Sequence, residues 1–127
     1  MAPRLKVLFV CSANQQRSPT AERIYRNDSR VEVRSAGVRL GANRRISEND
    51  LRWADVVFVM EREHKLAIME RFGVIPGLVF PPIEVLGVPD EFDFMHPYLV
   101  EMLKTMLDPE IDHLIAGRNQ NGAGGGS

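Results

Sequence analysis

The only cysteine of the chain, Cys11, lies six positions before Arg17 in the segment VLFVCSANQQRSPTAE. A thiolate is a good nucleophile, and a guanidinium group pairs bidentately with the oxygens of a phosphate. The residues between them are small or polar, as a loop that binds an anion through its N–H groups requires. The types and spacing of these residues therefore indicate nucleophilic attack by Cys11 on a phosphoryl group.

A structural interpretation competes with this one, because a free cysteine often behaves as a small buried apolar side chain. The spacing to Arg17 is weak evidence by itself, since the chain holds 13 arginines in 127 residues. The flanking segments favour chemistry. Residues 5–10 predict a buried strand, and the pair that follows Arg17 predicts a helix start with Ser18 as N-cap and Pro19 at the first helical position. The positive field of that helix N-terminus favours the thiolate.

Strands and helices alternate along the rest of the chain. The apolar patterns predict further strands at residues 31–35, 55–60 and 83–88, and helices at residues 19–27, 47–53, 61–72, 97–107 and 109–116. Such alternation predicts an α/β fold with a parallel sheet and helices on both faces. Ligands bind to these sheets at the carboxyl ends of the strands, which is where Cys11 lies.

Local patterns refine these elements. Ser47 and Asp50 form a capping-box variant that opens the short second helix. The helix at residues 61–72 is expected to have Leu66, Met69 and Phe72 on one side, and His64 to pack or to cap that helix. The pair Asp108–Pro109 is expected to interrupt the last helical segment. The predicted core further includes Trp53, Met60, Met69, Met102 and Met106.

Composition predicts one domain at residues 1–117 and a glycine-rich, disordered tail at residues 118–127. A single cysteine excludes an intramolecular disulfide and a cysteine zinc site, and it fits a reducing cytoplasm. The apolar stretch after the first six residues is too short for a signal sequence, and no run approaches the roughly 20 apolar residues of a membrane helix. We therefore expect a cytoplasmic protein without membrane association, bound metal or cofactor.

The charges are unevenly distributed. Residues 1–53 carry 11 Lys/Arg against 5 Asp/Glu, whereas residues 54–127 carry 5 against 12. The basic half could steer an anionic substrate or contact nucleic acid, although arginines on solvated faces are the favoured interpretation. Aromatic residues are not interleaved with these arginines, so nucleic-acid binding is not expected. The arginines concerned are Arg23, Arg26, Arg30, Arg34, Arg39, Arg44 and Arg45.

Four segments of the sequence resemble one known family. The first reads C-S-A-N-Q-Q-R-S-P at residues 11–19, the second is Ser35-Ala36-Gly37, the third is ADVVFVM at residues 54–60 with His64 downstream, and the fourth is VPDEF at residues 88–92. In these segments the chain resembles the low-molecular-weight protein tyrosine phosphatases, in their compact prokaryotic form. The likeness runs from Leu5 to about Leu107.

The resemblance implies a fold and a mechanism. The fold would be a three-layer sandwich whose four-stranded parallel sheet has the order 2-1-3-4, with the phosphate-binding loop after strand 1. Cys11 would be the nucleophile and Arg17 the clamp on the phosphoryl oxygens. Ser18 would stabilise the thiolate as leaving group, and Asp90 would act as general acid and then as base. Asp93 is the alternative acid.

The resemblance also implies the residues that hold the substrate and the loop. The substrate-binding residues would be Ser12, Ala13, Asn14, Gln15, Gln16 and Phe92. Asn14, bonded to Ser35, would hold the loop in a strained shape. The chain departs from the family pattern at three of these positions: Ala13 replaces a glycine, Gln16 replaces a second cysteine, and Phe92 replaces a tyrosine. The segment between Gly37 and Ala54 is also shorter than in full-length members.

The implied activity is hydrolysis of phosphomonoesters, phosphotyrosine first among them, through a phosphocysteine intermediate. The partners would be a phosphorylated protein or a small phosphomonoester, with inorganic phosphate as product and inhibitor. Two alternatives stay open. The same machinery could act on phosphoserine-proline or phosphoarginine, or the loop could belong to a phosphate- or phosphopeptide-binding module without turnover.

Overall fold

A computed structural model describes residues 3–125, with side chains described through residue 118. The strands are β1 (Leu5–Cys11), β2 (Val31–Gly37), β3 (Val56–Val59) and β4 (Ile83–Val85). The helices are α1 (Arg17–Tyr25), α2 (Glu48–Trp53), α3 (Arg62–Phe72) and α4 (Pro97–Gly125). The strands form a parallel sheet in the order β2-β1-β3-β4, which confirms the predicted fold and strand order.

The central strand β1 is buried on both faces. Alternate residues contact opposite layers: Phe9 and Cys11 pack with α1 and α4, whereas Leu8 and Val10 pack with α2 and α3. Because β1 runs parallel to its neighbours, the carboxyl ends of the strands meet at one edge of the sheet. Cys11 pairs there with Gly37 at the end of β2. The sheet thus delivers Cys11 to the edge at which ligands bind in this architecture.

Helix α1 begins two residues earlier than the sequence predicts. Arg17 is its first residue and Gln16 its N-cap, so the assignment of Ser18 as N-cap and Pro19 as first helical residue is wrong. The Ser18 hydroxyl does not cap the helix because it is engaged with Cys11 and Asn14 instead. Pro19 is tolerated at the third position, since N–H groups of the first turn have no partner within the helix.

Helix α4 runs without interruption through Pro109, so the predicted restart at Asp108–Pro109 is wrong. A proline inside a helix costs about 3 kcal/mol. Here an apolar row with fourfold spacing continues across it: Leu99, Leu103, Leu107 and Ile111 are all fully buried against the sheet. Packing on both sides of Pro109 therefore offsets the missing hydrogen bond.

The predicted tail at residues 118–127 stays a prediction. Helix α4 extends to Gly125, the side chains after Arg118 lie outside the described residues, and residues 126–127 lie outside them altogether. Within the described part of the chain, no helix is long and apolar enough to cross a membrane.

The capping box of α2 is confirmed, with Ser47 and Asp50 bonded reciprocally. The predicted face of α3 is wrong, because Leu66 and Met69 are 55% and 44% exposed. The buried row of α3 is instead His64, Ile68 and Phe72. The sequence misleads here because a histidine occupies an inward position. Of the other predicted core residues, Met60 is fully buried, and Trp53, Met102 and Met106 are half-buried.

Candidate active site

A chain of directed hydrogen bonds ends at the cysteine. The Ser35 hydroxyl donates to Glu22 Oε1 at 2.5 Å, so its oxygen accepts from Asn14 Nδ2 at 2.9 Å. The second hydrogen of the same amide goes to Ser18 Oγ, also at 2.9 Å. Ser18 Oγ lies 3.0 Å from Cys11 Sγ and 3.3 Å from the carbonyl oxygen of residue 36. The Ser18 hydroxyl donates to that carbonyl oxygen, and it can donate instead to a Cys11 thiolate, which lies nearer and is the charged acceptor.

Asn14 also gives the loop its shape. Its φ of 55° lies in the left-handed region, which asparagine tolerates better than most residues. The side chain is buried, and both of its amide hydrogens are bonded to Ser18 and Ser35. These two bonds stabilise the strained turn between Cys11 and Arg17.

The segment after β2 binds the outer side of the loop. Backbone N–H groups of residues 38, 39 and 43 donate to the carbonyl oxygens of Cys11, Ser12 and Ala13, each at 3.0 Å. The Asn43 side chain donates to the carbonyl oxygen of Asn14, again at 3.0 Å. Within the described residues, the N–H groups of residues 13–16 have no protein acceptor. The loop thus offers N–H donors to an anion.

Arg17 is buried at the end of the loop, with only 3% of its side chain exposed. Its Nη1 donates to Glu61 Oε1 at 2.9 Å and to the carbonyl oxygen of Val88 at 2.8 Å, and its Nε lies 3.9 Å from Asp90 Oδ1. The neighbouring Glu63 carboxyl and the charge of Arg17 lower the pKa of Glu61. Glu61 is therefore ionised, which compensates the buried guanidinium.

His64 connects the loop to helix α3. Its Nδ1 accepts the backbone N–H of Glu61 at 3.0 Å, which confirms the predicted capping role, and its Nε2 lies 2.8 Å from Ser12 Oγ. Burial, followed by the charge of Arg17, lowers the pKa of His64 from 6.5 to about 4. The imidazole is therefore neutral near pH 7.

These groups surround a pocket of about 100 Å³. Its lining consists of Cys11, Ser12, Ala13, Gln15, Gln16, Arg17, Arg39 and Asp90. The pocket is small beside the roughly 300–1,000 Å³ of sites for drug-sized ligands. It combines a buried thiol, a guanidinium, unpaired N–H groups and a carboxyl group that is 60% exposed. Such a set can bind a phosphoryl group, attack it and exchange a proton with it.

Residues 6–44, which contain β1 from its second residue, the loop, α1 and β2, match the family profile described as low molecular weight phosphotyrosine protein phosphatase. The YwlE arginine phosphatase of Geobacillus stearothermophilus superposes with a TM-score of 0.68 at 24% identity, over 91% of this chain and 96% of that one. The chain has the low molecular weight phosphatase fold. The resemblance inferred from the sequence motifs is confirmed.

Further solved structures share the low molecular weight phosphatase fold. The tyrosine phosphatase Wzb from Escherichia coli K30, in complex with phosphate, matches at 20% identity and TM-score 0.66, over 88% of this chain and 99% of that one. The Drosophila arginine phosphatase DARP matches at 20% identity and TM-score 0.64, over 90% and 98%. No curated protein sequence matches the chain significantly.

The phosphatase fold brings most of the residues predicted from the sequence together. Cys11, Arg17 and Asp90 all line the pocket, and the expected hydrogen bond from Asn14 to Ser35 is present. Phe92 lies elsewhere: it packs against His96 with ring centroids 5.1 Å apart and against the apolar core. The roles assigned to these residues, and the choice of Asp90 over Asp93, stay predictions.

Sequence reasoning missed three residues of the site. Glu61 lies two residues after β3, and the carboxyl end of a strand beside β1 was a signal that could have revealed it. Glu22 lies five positions after Arg17 on α1, and no sequence pattern distinguishes it from a surface glutamate. Arg39 counted only as one of many arginines, whereas it is one of the residues that line the pocket.

Other arginines of the basic half stabilise the fold. Arg34 and Arg44 both pair with the buried carboxylate of Asp50. Burial of Asp50 acts to raise its pKa, but the hydrogen bonds from Arg44 and Ser47 and the charge of Arg44 together outweigh that effect, so the pKa is lowered. Arg30 pairs with Asp28 and Asp112. These pairs favour the interpretation that the arginines lie on solvated faces rather than on a nucleic-acid interface.

Proposed function

We propose that this protein is a cysteine-dependent phosphatase that hydrolyses phosphomonoesters through a phosphocysteine intermediate, with phosphotyrosine as its first candidate substrate. The observation that carries the proposal is the contact between Cys11 Sγ and Ser18 Oγ at 3.0 Å, in a pocket that Arg17 and Asp90 also line. A buried cysteine with a purely structural role would not need this hydrogen-bond chain.

In the first step, the Cys11 thiolate attacks phosphorus, and an S–P bond forms as the P–O bond to the leaving group breaks. Asp90, in its acid form, gives its proton to the departing oxygen. The loop N–H groups and the Arg17 guanidinium hold the three remaining oxygens, on which negative charge is distributed in the transition state. General-acid catalysis of this kind typically contributes about 10²–10⁴ in rate.

In the second step, water attacks the phosphocysteine. Asp90, now a carboxylate, takes a proton from the water while the S–P bond breaks. Cys11 leaves as a thiolate, which the Ser18 hydroxyl stabilises by donating a hydrogen bond over the 3.0 Å contact. Inorganic phosphate remains in the loop, so it is expected to inhibit as product.

The size of the pocket restricts which part of a substrate can enter it. A volume of about 100 Å³ holds the phosphoryl group and leaves the rest of the substrate outside, near the exposed side chains of Gln15 and Arg39. This supports a phosphorylated protein or a small phosphomonoester as substrate. Phosphoarginine is the second candidate, because arginine phosphatases share the fold over nearly all of the chain. We also propose a cytoplasmic location, since the mechanism requires Cys11 to stay reduced.

The test measures hydrolysis of p-nitrophenyl phosphate and of phenyl phosphate near pH 6, for the parent and for Cys11→Ser, Asp90→Asn and Asp93→Asn. We expect no turnover by Cys11→Ser. Asp90→Asn should lose about 10²–10⁴ in kcat, most clearly on phenyl phosphate, whose leaving group is the poorer one. Asp93→Asn is the matched control, because it removes a carboxylate from the same loop and should stay close to the parent.

The same assays separate the alternatives. Phosphatase activity of the parent no higher than that of Cys11→Ser, together with retained binding of orthophosphate, would leave a binding module. A slow Asp93→Asn and an unaffected Asp90→Asn would move the acid to Asp93. Comparison of kcat/KM for phosphotyrosine, phosphoserine-proline and phosphoarginine peptides then identifies the preferred residue.

A further inference from the structure

The contact between Ser12 and His64 has no role in the two chemical steps above. Ser12 Oγ lies 2.8 Å from His64 Nε2, and the imidazole is 1% exposed. Ser12 lines the pocket beside Cys11, whereas His64 lies behind the loop on helix α3. A buried, titratable side chain is thus bonded to a hydroxyl group at the site of phosphoryl binding.

The position of the imidazole proton follows from its partners. His64 Nδ1 accepts the backbone N–H of Glu61 at 3.0 Å, so Nδ1 carries no hydrogen. In a neutral imidazole the hydrogen must then be on Nε2, which makes Nε2 the donor to Ser12 Oγ. The Glu63 carboxylate lies 3.9 Å from Nε2, too far for a hydrogen bond to compete.

The Ser12 hydroxyl is consequently left with a hydrogen to donate. Its oxygen already accepts from His64, and within the described residues it makes no other hydrogen bond. Because Ser12 lines the pocket, this hydrogen can be directed at a phosphoryl oxygen. The reverse arrangement, in which Ser12 donates to His64, would require the hydrogen on Nδ1, where the Glu61 N–H already points.

We propose that the Ser12 hydroxyl is an additional hydrogen-bond donor to the phosphoryl group, and that His64 is a positioning residue that holds this hydroxyl in its donating orientation. The inference rests on the proposed function for its catalytic part, but binding of phosphate tests it independently of turnover. His64 also holds the N–H of Glu61, whose carboxylate bonds Arg17. The imidazole of His64 therefore helps to position two groups that bind the anion, the Ser12 hydroxyl and the Arg17 guanidinium.

The first experiment compares Ser12→Thr with Ser12→Val, which have nearly the same shape and differ in the hydroxyl group. Orthophosphate affinity is measured by isothermal titration calorimetry at pH 7, and kcat and KM by hydrolysis of p-nitrophenyl phosphate. Hydrogen bonds to a charged group are strong, so Ser12→Val should bind orthophosphate about 10-fold to 100-fold more weakly than Ser12→Thr. Ser12→Thr should recover most of the parent affinity.

The second experiment separates the two hydrogen bonds of His64, one with Ser12 and one with the N–H of Glu61. The Gln side chain in His64→Gln can place an amide donor near Nε2 of the parent, whereas Asn in His64→Asn can place an oxygen near Nδ1. We expect His64→Gln to retain more phosphate affinity than His64→Asn, while His64→Asn retains the cap of α3. Unfolding temperature is measured for both, since a merely structural histidine would change stability and phosphate affinity together in both variants.

Each outcome decides the inference. Equal orthophosphate affinity of Ser12→Thr and Ser12→Val would overturn it, even if the parent is an active phosphatase. Failure of the parent to bind orthophosphate would also overturn it. If the parent binds orthophosphate through Ser12 but hydrolyses none of the substrates, the inference stands and the proposed function fails.

Discussion

At the scale of single residues, the site depends on the direction of its hydrogen bonds. Glu22 accepts the hydrogen bond of the Ser35 hydroxyl, so Asn14 donates to the oxygens of Ser35 and Ser18. The Ser18 hydroxyl can then donate to Cys11. His64 has the same effect on Ser12 from the other side of the loop. Charged or neutral buried groups thus orient hydroxyl groups that would otherwise rotate freely.

The depressed pKa of His64 predicts how stability depends on pH. The folded protein takes up this proton only near pH 4, whereas the unfolded chain takes it up near 6.5. Stabilisation is therefore complete above pH 6.5 and is lost as the pH falls towards 4, by up to about 3 kcal/mol. Urea unfolding of the parent and of His64→Asn between pH 4 and 7.5 measures this. The variant should show a smaller slope, and the exposed-site control His113→Asn should follow the parent.

At the scale of elements, the phosphate loop is a joint product of β1 and of the segment that follows β2. Gly37 ends β2 and pairs with Cys11, and the next residues bind the loop carbonyl groups. A Cβ at Gly37 would lie 2.6 Å from the carbonyl oxygen of Ser12 and 2.7 Å from Ala42 Cβ. A glycine is therefore required at position 37, because the backbone segments approach each other closely there. This approach lets the segment after β2 bind the loop carbonyl oxygens, which then point away from the anion site.

Gly37→Ala should therefore disturb the loop as well as the fold. Contacts this short force the backbone apart, so we expect a loss of about 1–3 kcal/mol in unfolding free energy and at least a tenfold loss in orthophosphate affinity. Gly41→Ala is the matched control, because nothing lies within 4 Å of a Cβ at Gly41. Urea unfolding and calorimetry measure both variants. Equal behaviour of the two would show that the close approach does not shape the loop.

The elements also show how far the sequence could predict this structure. The alternation of apolar strand segments with helices is sufficient to predict a parallel sheet, because strands that are apolar on both faces must be covered by helices on both sides. The predicted start of α1 and the predicted buried face of α3 are wrong, because in each case a side chain has a different partner. Ser18 bonds Cys11 instead of capping α1, and His64 turns inward to Ser12 and sets the buried face of α3. Such choices depend on contacts between distant segments, which a local pattern does not contain.

At the scale of the whole molecule, the uneven distribution of charge along the chain brings opposite charges together at the pocket. The basic half contributes the loop and Arg17, and the acidic half contributes Glu61 after β3 and Asp90 after β4. Both carboxylates lie at the same edge of the sheet because all strands are parallel. The buried Arg17 guanidinium is therefore bonded to Glu61 and to the carbonyl oxygen of Val88, which lie 44 and 71 residues further along the chain.

Glu61→Gln tests this arrangement. The substitution keeps the size of the side chain and an oxygen that can accept from Arg17 Nη1, but it removes the charge that lies 2.9 Å from that atom, so the hydrogen-bond acceptors of the buried cation become neutral. Because Glu61 is partly exposed, we expect a loss of about 1–2 kcal/mol in unfolding free energy at pH 7. A less firmly oriented Arg17 should also lower kcat/KM for p-nitrophenyl phosphate by about tenfold.

Glu63→Gln is the matched control for this variant. Glu63 lies two positions further along and is 69% exposed. It interacts with the Glu61 carboxyl, but within the described residues it has no hydrogen bond to Arg17, so it separates the Glu61–Arg17 contact from the interaction between the two carboxyl groups. Removal of this exposed carboxylate leaves the bond between Glu61 and Arg17 in place, so the unfolding free energy and kcat/KM should stay close to those of the parent. If Glu61→Gln and Glu63→Gln reduce stability and kcat/KM equally, the effect reflects the loss of negative charge near the pocket. A deficit confined to Glu61→Gln identifies the contact with Arg17, since only that side chain reaches the guanidinium from the end of β3.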